Sequence, residues 1–296
     1  MGRSAFAPAK VNLFLHVGAP GEDGFHPVCS LMAFADIGDR VSTFEAEALA
    51  LRVAGPFAQE LAGEGDNLVL RAARALIAEA RRPVAPMGLS LEKLLPVASG
   101  LGGGSSDAGA ALRLLRDTLE LKIDDIRLEA LAGSLGADGA ACLWGAPALA
   151  QGRGERLSPA PGLPPLDAVL VNPRTPVSTP EVYRRFDADG RFGEVTAPAA
   201  PEAFEDATEL AAWLAVQRND LEAAAIAVSP PVGAVLETLA GEPEALLARV
   251  SGSGGTCFAL CASDIEAESL AERIEAMAPD WWVRRCRLGG PWPDPG

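Results

Sequence analysis

The stretch LPVASGLGGGSSDA, from Leu95 to Ala108, decides how this chain folds. An apolar segment from Gly88 to Val97 leads into it and predicts a strand, and the run from Ala108 to Leu121 predicts a helix. Between these segments lie closely spaced glycines and the paired serines Ser105 and Ser106. The pattern therefore predicts a strand, a glycine-rich loop and a helix that begins at the serines.

This glycine-rich loop favours a phosphate site. Glycines let the backbone approach an anion closely, and a helix N-terminus adds unpaired N–H groups and a partial positive charge. The alternative is a tight turn with a serine cap, but three consecutive glycines and a fourth two residues earlier exceed what such a turn needs. The loop is not a Walker A loop, because no Gly-Lys-[Ser/Thr] follows, and Ser105 stands where G-x-G-x-x-G needs its last glycine.

We therefore predict that this loop binds phosphate groups, such as those of ATP. The predicted ATP-binding residues of the loop are Pro96, Val97, Ala98, Ser99, Gly100, Leu101, Gly102, Gly103, Gly104, Ser105 and Ser106. The hydroxyl of Ser105 or Ser106 is placed to cap the helix, to contact phosphate or to help hold Mg²⁺.

The composition narrows the class of partner. Among 296 residues, 25 Lys and Arg stand against 40 Asp and Glu, and a formal charge of −15 repels nucleic acid and anionic lipid. No apolar run approaches the roughly 18 residues of a membrane span. Five scattered cysteines without a CxxC pair predict neither a disulfide framework nor a zinc site. We expect a cytoplasmic protein that is a monomer or homodimer and has no nucleic-acid or membrane partner. Because the whole chain is acidic, a site for an anionic ligand needs positively charged groups close to it.

The chain divides at a proline-rich segment. Four prolines between Pro159 and Pro165 resemble a linker, which predicts an N-terminal domain of residues 1–158 and a C-terminal domain of residues 166–296. Strands and helices mix without a regular βαβ period, which favours an α+β fold over a doubly wound sheet. After a strand at Ala168–Val171, the segment through Pro201 is predicted as a long loop.

Two further segments accompany the glycine-rich loop. APAKVNL covers Ala7–Leu13, and VSGSGGT covers Val250–Thr256. Together with SGLGGGSSDA they resemble, in order and separation, the three motifs of the superfamily of galactokinase, homoserine kinase, mevalonate kinase and phosphomevalonate kinase. The resemblance implies an α+β, two-domain small-molecule kinase fold. In that fold the N-terminal domain is like ribosomal protein S5 and carries ATP binding and catalysis, while the substrate-side C-terminal domain is ferredoxin-like. ATP and Mg²⁺ are the implied cofactors.

Within that superfamily, the chain most resembles the kinases of 4-diphosphocytidyl-2-C-methylerythritol in the non-mevalonate isoprenoid pathway. The segments that carry this resemblance are APAKVNLFLHV, DGFHPVCSLMAFADIGD, Asp66-Asn67-Leu68, LGADGAACL and NPRTPVSTPEVY. The resemblance implies ATP-dependent phosphorylation of the 2-hydroxyl of a small cytidine diphosphate substrate. Another kinase of the superfamily, or a non-catalytic ligand sensor on the same fold, remain the competing hypotheses.

The same resemblance implies Lys10 and Asp138 as the catalytic pair. Phosphoryl transfer needs a carboxylate that accepts the proton of the attacking hydroxyl, and positive charge near the phosphoryl oxygens. A lysine beside that carboxylate keeps it ionised. One departure concerns the residues after the aspartate, where the family usually has Val-Pro and this chain has Gly139-Ala140. We expect these two residues to give the base extra flexibility.

The resemblance also implies a cytidine pocket formed by Phe25, His26 and Tyr183. Relatives place an aromatic ring on each side of the cytosine, with the histidine at its edge, and the first ring is commonly tyrosine. Stacking needs only a π-face, so phenylalanine suffices. The alternatives are core packing for the two aromatic residues and a turn for the histidine. The weaker assignments are Asn12 and Thr179 for the substrate, and Asn67 and Lys93 for the nucleotide.

Overall fold

The computed structural model describes residues 3–62, 65–80 and 82–294. The strands of this part are β1 Ser4–Val17, β2 Val28–Phe44, β3 Ala50–Ala54, β4 Gly88–Glu92, β5 Ala148–Gly152, β6 Arg156–Pro159, β7 Leu166–Asn172, β8 Leu247–Val250, β9 Cys257–Cys261 and β10 Trp282–Gly289. The α-helices are α1 Leu68–Glu79, α2 Gly103–Thr118, α3 Asp125–Leu135, α4 Gly139–Trp144, α5 Thr179–Asp189, α6 Ala207–Ala215, α7 Glu222–Val228, α8 Pro230–Ala240 and α9 Asp264–Met277.

The long strand β2 organises the sheet. It pairs antiparallel with β1, β4 and β5 along its length, and with β10 through Leu288 opposite Ala35 and Gly289 opposite Phe34. Strand β10 continues the sheet through β7 and β9 to β8. The mixed order of strands and helices confirms the α+β prediction. The division into domains 1–158 and 166–296 stays a prediction, and Pro159 of its linker is the last residue of β6.

Helices cover the sheet with apolar faces. Leu76 of α1 and Leu112 of α2 are fully buried in one cluster with Leu89 of β4. A second cluster packs the helices of the C-terminal half against β7 and β9, with Val235 and Leu270 among its members. All five cysteines are unpaired and buried, in agreement with the absence of a predicted disulfide framework. None of the helices in the described ranges is long and apolar enough to cross a bilayer.

The loop between β4 and α2 begins and ends earlier in the chain than the sequence predicts. Strand β4 ends at Glu92 rather than Val97, because the Asp39 carboxylate accepts the N–H groups of Leu94 at 2.6 Å and Leu95 at 2.9 Å. These amides therefore bond a side chain instead of a neighbouring strand. Helix α2 begins at Gly103, two residues before the serines at which the sequence predicts its start, so the last two glycines and both serines form its first turns.

Helix α5 lies inside the segment predicted as a long loop. It begins at Thr179, has a proline in its first turn and ends before Gly190, whose φ is 62°. Those signals are typical of helix ends, but polar and charged residues dominate the segment between them. Tertiary packing explains the helix, because Val182 and Phe186 are buried against the rest of the C-terminal half.

The buried ring of His16 makes stability depend on pH. Neither ring nitrogen has a hydrogen-bond partner. Burial, and then the charges of Arg218 and Arg249, lower the pKa of His16 below the usual 6.5, although the charge of Asp220 opposes them. The unfolded chain then binds the proton more readily, so the free energy of unfolding falls as pH drops through 6.5, by at most about 1.4 kcal/mol per pH unit. Urea unfolding between pH 8 and pH 5.5 measures this slope. His16→Phe is expected to flatten it, and an unchanged slope would contradict the assignment.

Candidate active site

A cavity of about 510 Å³ lies between β1, the glycine-rich loop, α5 and a second glycine loop, which is the VSGSGGT segment Val250–Thr256. Most of the residues predicted as functional line it, and these are Lys10, Asn12, Asn67, Lys93, Pro96, Val97, Ala98, Ser99, Gly100, Gly102, Gly103, Gly104, Ser105, Asp138, Thr179 and Tyr183. Four predicted residues do not line it, and these are Phe25, His26, Leu101 and Ser106. The fold thus gathers residues from both halves of the chain around one space.

Lys10 and Asp138 form an ion pair at this cavity. Lys10 Nζ lies 3.1 Å from Asp138 Oδ2. The lysine is only 4% exposed, whereas the aspartate side chain is 31% exposed and open to the cavity. Lys10 also donates to Oδ1 of Asn12, which follows it on the same face of β1, and Asn12 in turn donates to Ser30 Oγ at 2.7 Å. This chain of bonds holds the ammonium group beside the carboxylate.

Gly139, which follows the predicted catalytic residue Asp138, lies in a tightly packed position. Asp138 is the residue before α4, and Gly139 begins that helix. A Cβ atom on Gly139 would come within 1.9 Å of the Ala132 carbonyl oxygen of α3. The glycine therefore permits close packing of α4 on α3, where it is buried. The extra flexibility of the base stays a prediction.

The two glycine loops contact each other. Gly100 has φ 76°, and a Cβ atom there would approach the Ser251 carbonyl oxygen to 2.4 Å. Ser251 Oγ donates to the Gly100 carbonyl at 3.1 Å and accepts the N–H of Asn12 at 3.2 Å. Leu101 buries its side chain in the core, and its carbonyl accepts the N–H of Lys10 at 2.7 Å. Any contact of Leu101 with ATP therefore comes from its backbone.

Lys93 lies beneath the start of α2 between two carboxylates. Its Nζ is 2.5 Å from Asp39 Oδ2 and 2.8 Å from Asp107 Oδ2, and the residue is 3% exposed. Burial lowers the pKa of Lys93, but Asp107 and Asp39 outweigh it and the net direction is upward. Burial raises the pKa of Asp107 to about 8, against the opposing charge of Lys93. The predicted ATP contact of Lys93 stays a prediction, since both observed partners belong to the protein.

Of the predicted aromatic pocket residues, one lines the cavity. Tyr183 lines the cavity, and burial, followed by the charges of Asp138 and Asp187, raises its pKa to about 12. The His26 ring lies behind Tyr183, with the ring centroids 5.1 Å apart. Phe25 is 58% exposed, so the two predicted stacking rings are not both in the cavity wall.

Arg153 is a cavity residue that the sequence analysis missed. Its guanidinium lies 4.2 Å from the centroid of the Phe25 ring and pairs with Asp23. It sits in the turn between β5 and β6, flanked by Gly152 and Gly154. The available signal was a lone arginine in a Gly-Arg-Gly turn of an acidic chain, which by itself is typical of a solvent-exposed hairpin.

Metal ligands are not grouped in the described part of the chain. Within residues 3–62, 65–80 and 82–294, no cluster of three or more His, Cys, Asp or Glu side chains could hold a metal ion. Of the two serines considered for Mg²⁺, Ser105 lines the cavity and Ser106 is fully buried.

Two family models match this chain. The family described as GHMP kinases N terminal domain matches residues 67–146, and GHMP kinases C terminal matches residues 198–280. The 4-diphosphocytidyl-2-C-methyl-D-erythritol kinase of Caulobacter vibrioides (strain NA1000 / CB15N) is 61% identical over 289 residues, 97% of this chain and 100% of the relative. This chain belongs to the 4-diphosphocytidyl-2-C-methyl-D-erythritol kinase family.

Other members and solved structures agree with that family. The kinase of the same name from Hyphomonas neptunium (strain ATCC 15444) is 50% identical over 97% of this chain and 96% of its own length. A crystal structure of 4-(cytidine 5'-diphospho)-2C-methyl-D-erythritol kinase superposes with a TM-score of 0.77 at 34% identity, covering 97% of this chain and 100% of that one. Homoserine kinase from Cytophaga hutchinsonii, at 19% identity and a TM-score of 0.68 over 98% of this chain and 94% of that one, shares the fold. The predicted two-domain kinase fold is confirmed.

Proposed function

We propose that this chain is the kinase that transfers the γ-phosphoryl group of ATP to the 2-hydroxyl of 4-diphosphocytidyl-2-C-methyl-D-erythritol. The observation that carries the proposal is the Lys10–Asp138 ion pair, which faces the cavity beside the glycine-rich loop. Membership of the kinase family supplies the reaction class, and the names of the relatives supply the acceptor.

Each part of the site supports one requirement of phosphoryl transfer. The Asp138 carboxylate accepts the proton of the attacking hydroxyl, and its partial exposure leaves room for a substrate beside it. The Lys10 ammonium keeps the carboxylate ionised and stabilises negative charge on the phosphoryl oxygens. The N–H groups of the loop and of the first turn of α2 hold the ATP phosphates. Asn67 and Leu61 line the cavity as well, and we assign the adenosine to them.

Mg²⁺ is part of the proposal, and the residues present fit an ion that ATP carries. Mg²⁺ keeps several waters and is usually held by one or two protein groups together with substrate phosphates. Ser105 is the predicted hydroxyl that reaches the cavity, whereas Asp107 gives one carboxylate oxygen to Lys93. When bound there, the ion neutralises charge on the phosphates.

The acceptor end of the cavity suits a cytidine diphosphate. Tyr183 offers an aromatic face, and Thr179 bonds Ser253 at 2.7 Å at the start of α5. Lys10 pairs with Asp138, and Lys93 pairs with buried carboxylates. Arg153 instead pairs with the half-exposed Asp23. Arg153 is therefore the lining cation best able to exchange its partner for a diphosphate. We also propose a cytoplasmic location and a monomer or homodimer.

The direct test is an ADP-release assay with a panel of acceptors. We expect turnover with 4-diphosphocytidyl-2-C-methyl-D-erythritol, and none with homoserine, mevalonate or galactose. Turnover with one of the other acceptors and none with the cytidyl substrate would contradict the proposal. Binding of both ligands without release of ADP would instead favour a non-catalytic sensor, which the paired Lys10 and Asp138 argue against.

Phe25→Ala is expected to raise KM for the cytidyl substrate by about tenfold and to leave KM for ATP within about twofold, because base–aromatic stacking contributes about 1–3 kcal/mol. Steady-state kinetics with each substrate varied in turn measures both constants. Phe44→Ala is the matched control, because Arg52 stacks on Phe44 at 4.0 Å as Arg153 does on Phe25. Phe44 does not line the cavity. Equal changes in the two KM values for Phe25→Ala would argue against stacking.

A further inference from the structure

Arg153 covers the Phe25 ring on the side of the cavity. The guanidinium carbon of Arg153 lies over the ring, 4.2 Å from its centroid, which is the arrangement of a cation–π contact. Arg153 lines the cavity, whereas Phe25 does not, although the phenylalanine is 58% exposed. The guanidinium therefore lies between the ring and the cavity, on the face where a base that enters from the cavity stacks.

The Asp23 carboxylate holds Arg153 in this position. Its Oδ2 atom pairs with the guanidinium, and its Oδ1 atom accepts the N–H of Phe25 at 3.0 Å. The side chains of Arg153 and Asp23 are 53% and 49% exposed, and ion pairs with that much exposure contribute little stability. The pair thus places the guanidinium over the ring but is weak enough to be exchanged for another anion.

The backbone of Arg153 is fixed close to Asp138. Gly154, which follows Arg153 in the turn between β5 and β6, is buried and has a φ of 110°. A Cβ atom on Gly154 would lie 2.9 Å from the carbonyl oxygen of Ala137, the residue before Asp138. The turn therefore packs against the segment that carries the proposed catalytic base, and Arg153 extends from there to Phe25.

The proposed acceptor needs a cation at this point. Its cytosine and its 2-hydroxyl belong to opposite ends of the molecule, and its diphosphate joins them. With the base on Phe25 and the hydroxyl at Asp138, the diphosphate passes the turn that carries Arg153. A guanidinium donates paired hydrogen bonds to phosphate oxygens, and these charge-assisted bonds are stronger than an exposed ion pair with one carboxylate.

We propose that Arg153 is a specificity-determining residue that makes binding of the base conditional on the diphosphate. In the free protein Arg153 covers Phe25, so a ligand with a base but no diphosphate displaces the guanidinium without offering it a new partner. A cytidine diphosphate offers phosphate oxygens in place of Phe25 and Asp23, so it favours the uncovered state that a nucleoside does not. The proposal rests on the proposed function, because it assigns the base to Phe25 and the hydroxyl to Asp138.

Binding of cytidine and of cytidine diphosphate (CDP), each measured by calorimetry without ATP, tests this exchange. Arg153→Ala is expected to weaken binding of CDP about tenfold or more, because hydrogen bonds to a charged group are lost. The same variant is expected to tighten binding of cytidine about threefold, because the ring is then uncovered. A general loss of structure does not shift the two affinities in opposite directions.

Asp23→Asn is a second variant with the opposite effect on CDP. Its side-chain oxygen still accepts the N–H of Phe25, but the negative charge that competes for Arg153 is gone, so CDP is expected to bind about threefold more tightly. Arg52→Ala is the matched control. Arg52 lies over the Phe44 ring at 4.0 Å, and neither residue lines the cavity, so both affinities are expected to stay unchanged.

The outcomes separate this proposal from the proposed function. Wild-type protein that does not phosphorylate the cytidyl substrate contradicts the proposed function, whatever the two affinities are. Loss of CDP binding in Arg153→Ala without a gain for cytidine would make Arg153 a simple phosphate contact and overturn its role in covering Phe25. Wild-type affinities for both ligands in Arg153→Ala, weaker CDP binding in Asp23→Asn, or the same pattern in Arg52→Ala also overturn the proposal.

Discussion

Asp138→Asn is expected to lower kcat by about 10²–10⁴-fold while ATP still binds, because a positioned general base contributes a factor of that size. The asparagine side chain has nearly the same shape but does not accept the substrate proton. It also leaves Lys10, which is 4% exposed, without its anionic partner. Single-turnover measurements with saturating substrates give the chemical step, and titration with a non-hydrolysable ATP analogue gives nucleotide affinity.

Asp124→Asn is the matched control for this substitution. Asp124 precedes α3 as Asp138 precedes α4, and its carboxylate accepts the N–H of Arg127 at 2.8 Å at the protein surface. Asparagine also caps helices well, so we expect this control to keep both stability and turnover. Unchanged turnover in Asp138→Asn would remove Asp138 from the mechanism. Loss of ATP binding together with turnover would place it in the nucleotide site instead.

Lys93→Met is expected to lower the free energy of unfolding by about 3–5 kcal/mol, which is the typical effect of removing one partner from a buried ion pair. Asp39 and Asp107 lie on two sides of the Lys93 ammonium, and both are buried. Without it their charges repel each other under the start of α2. Urea unfolding measures the loss, and Lys122→Met serves as control because Lys122 is exposed.

The pH dependence of this loss gives a second readout. Burial already raises the pKa of Asp107 to about 8, and removal of Lys93 takes away the charge that opposes that rise. Asp107 of the variant then keeps its proton to a higher pH than in wild type, so the stability gap between Lys93→Met and wild type is expected to narrow as pH falls from about 10 to about 8. A variant of wild-type stability whose only defect is a raised KM for ATP would instead support Lys93 as a direct nucleotide contact.

Much of the fold could be predicted from local pattern. The starts of α9 and α1 follow from local sequence, because Ser263 and Asn67 cap them, and capping residues and apolar spacing act within a few residues. Strand β2 and helix α5 were not predicted. Their residues contact partners far along the chain, as Phe34 of β2 does with Gly289 of β10. Local propensity does not predict such long-range contacts.

In the site, too, the sequence identifies the candidate residues but not all of their partners. Motif residues such as Gly100, Lys10 and Asp138 could be named from the sequence because the chemistry of phosphoryl transfer demands those residue types, and the fold brings them to one cavity. The partners of Lys93 and His26 could not be named. Asp39 lies 54 residues from Lys93, and Asp187 comes from the helix that the sequence analysis took for a loop.

The sequence by itself determined the phosphate loop, the kinase family and the candidate catalytic pair, because each depends on residue types in a fixed local order. Only the tertiary structure decided how those residues are held. It showed that Lys93 pairs with two buried carboxylates, that His26 is bonded at both ring nitrogens and that Arg153 reaches the cavity. The physical reason is that burial and ion pairing depend on which segments pack together, and a carboxylate's partner is set by distance in space and not along the chain.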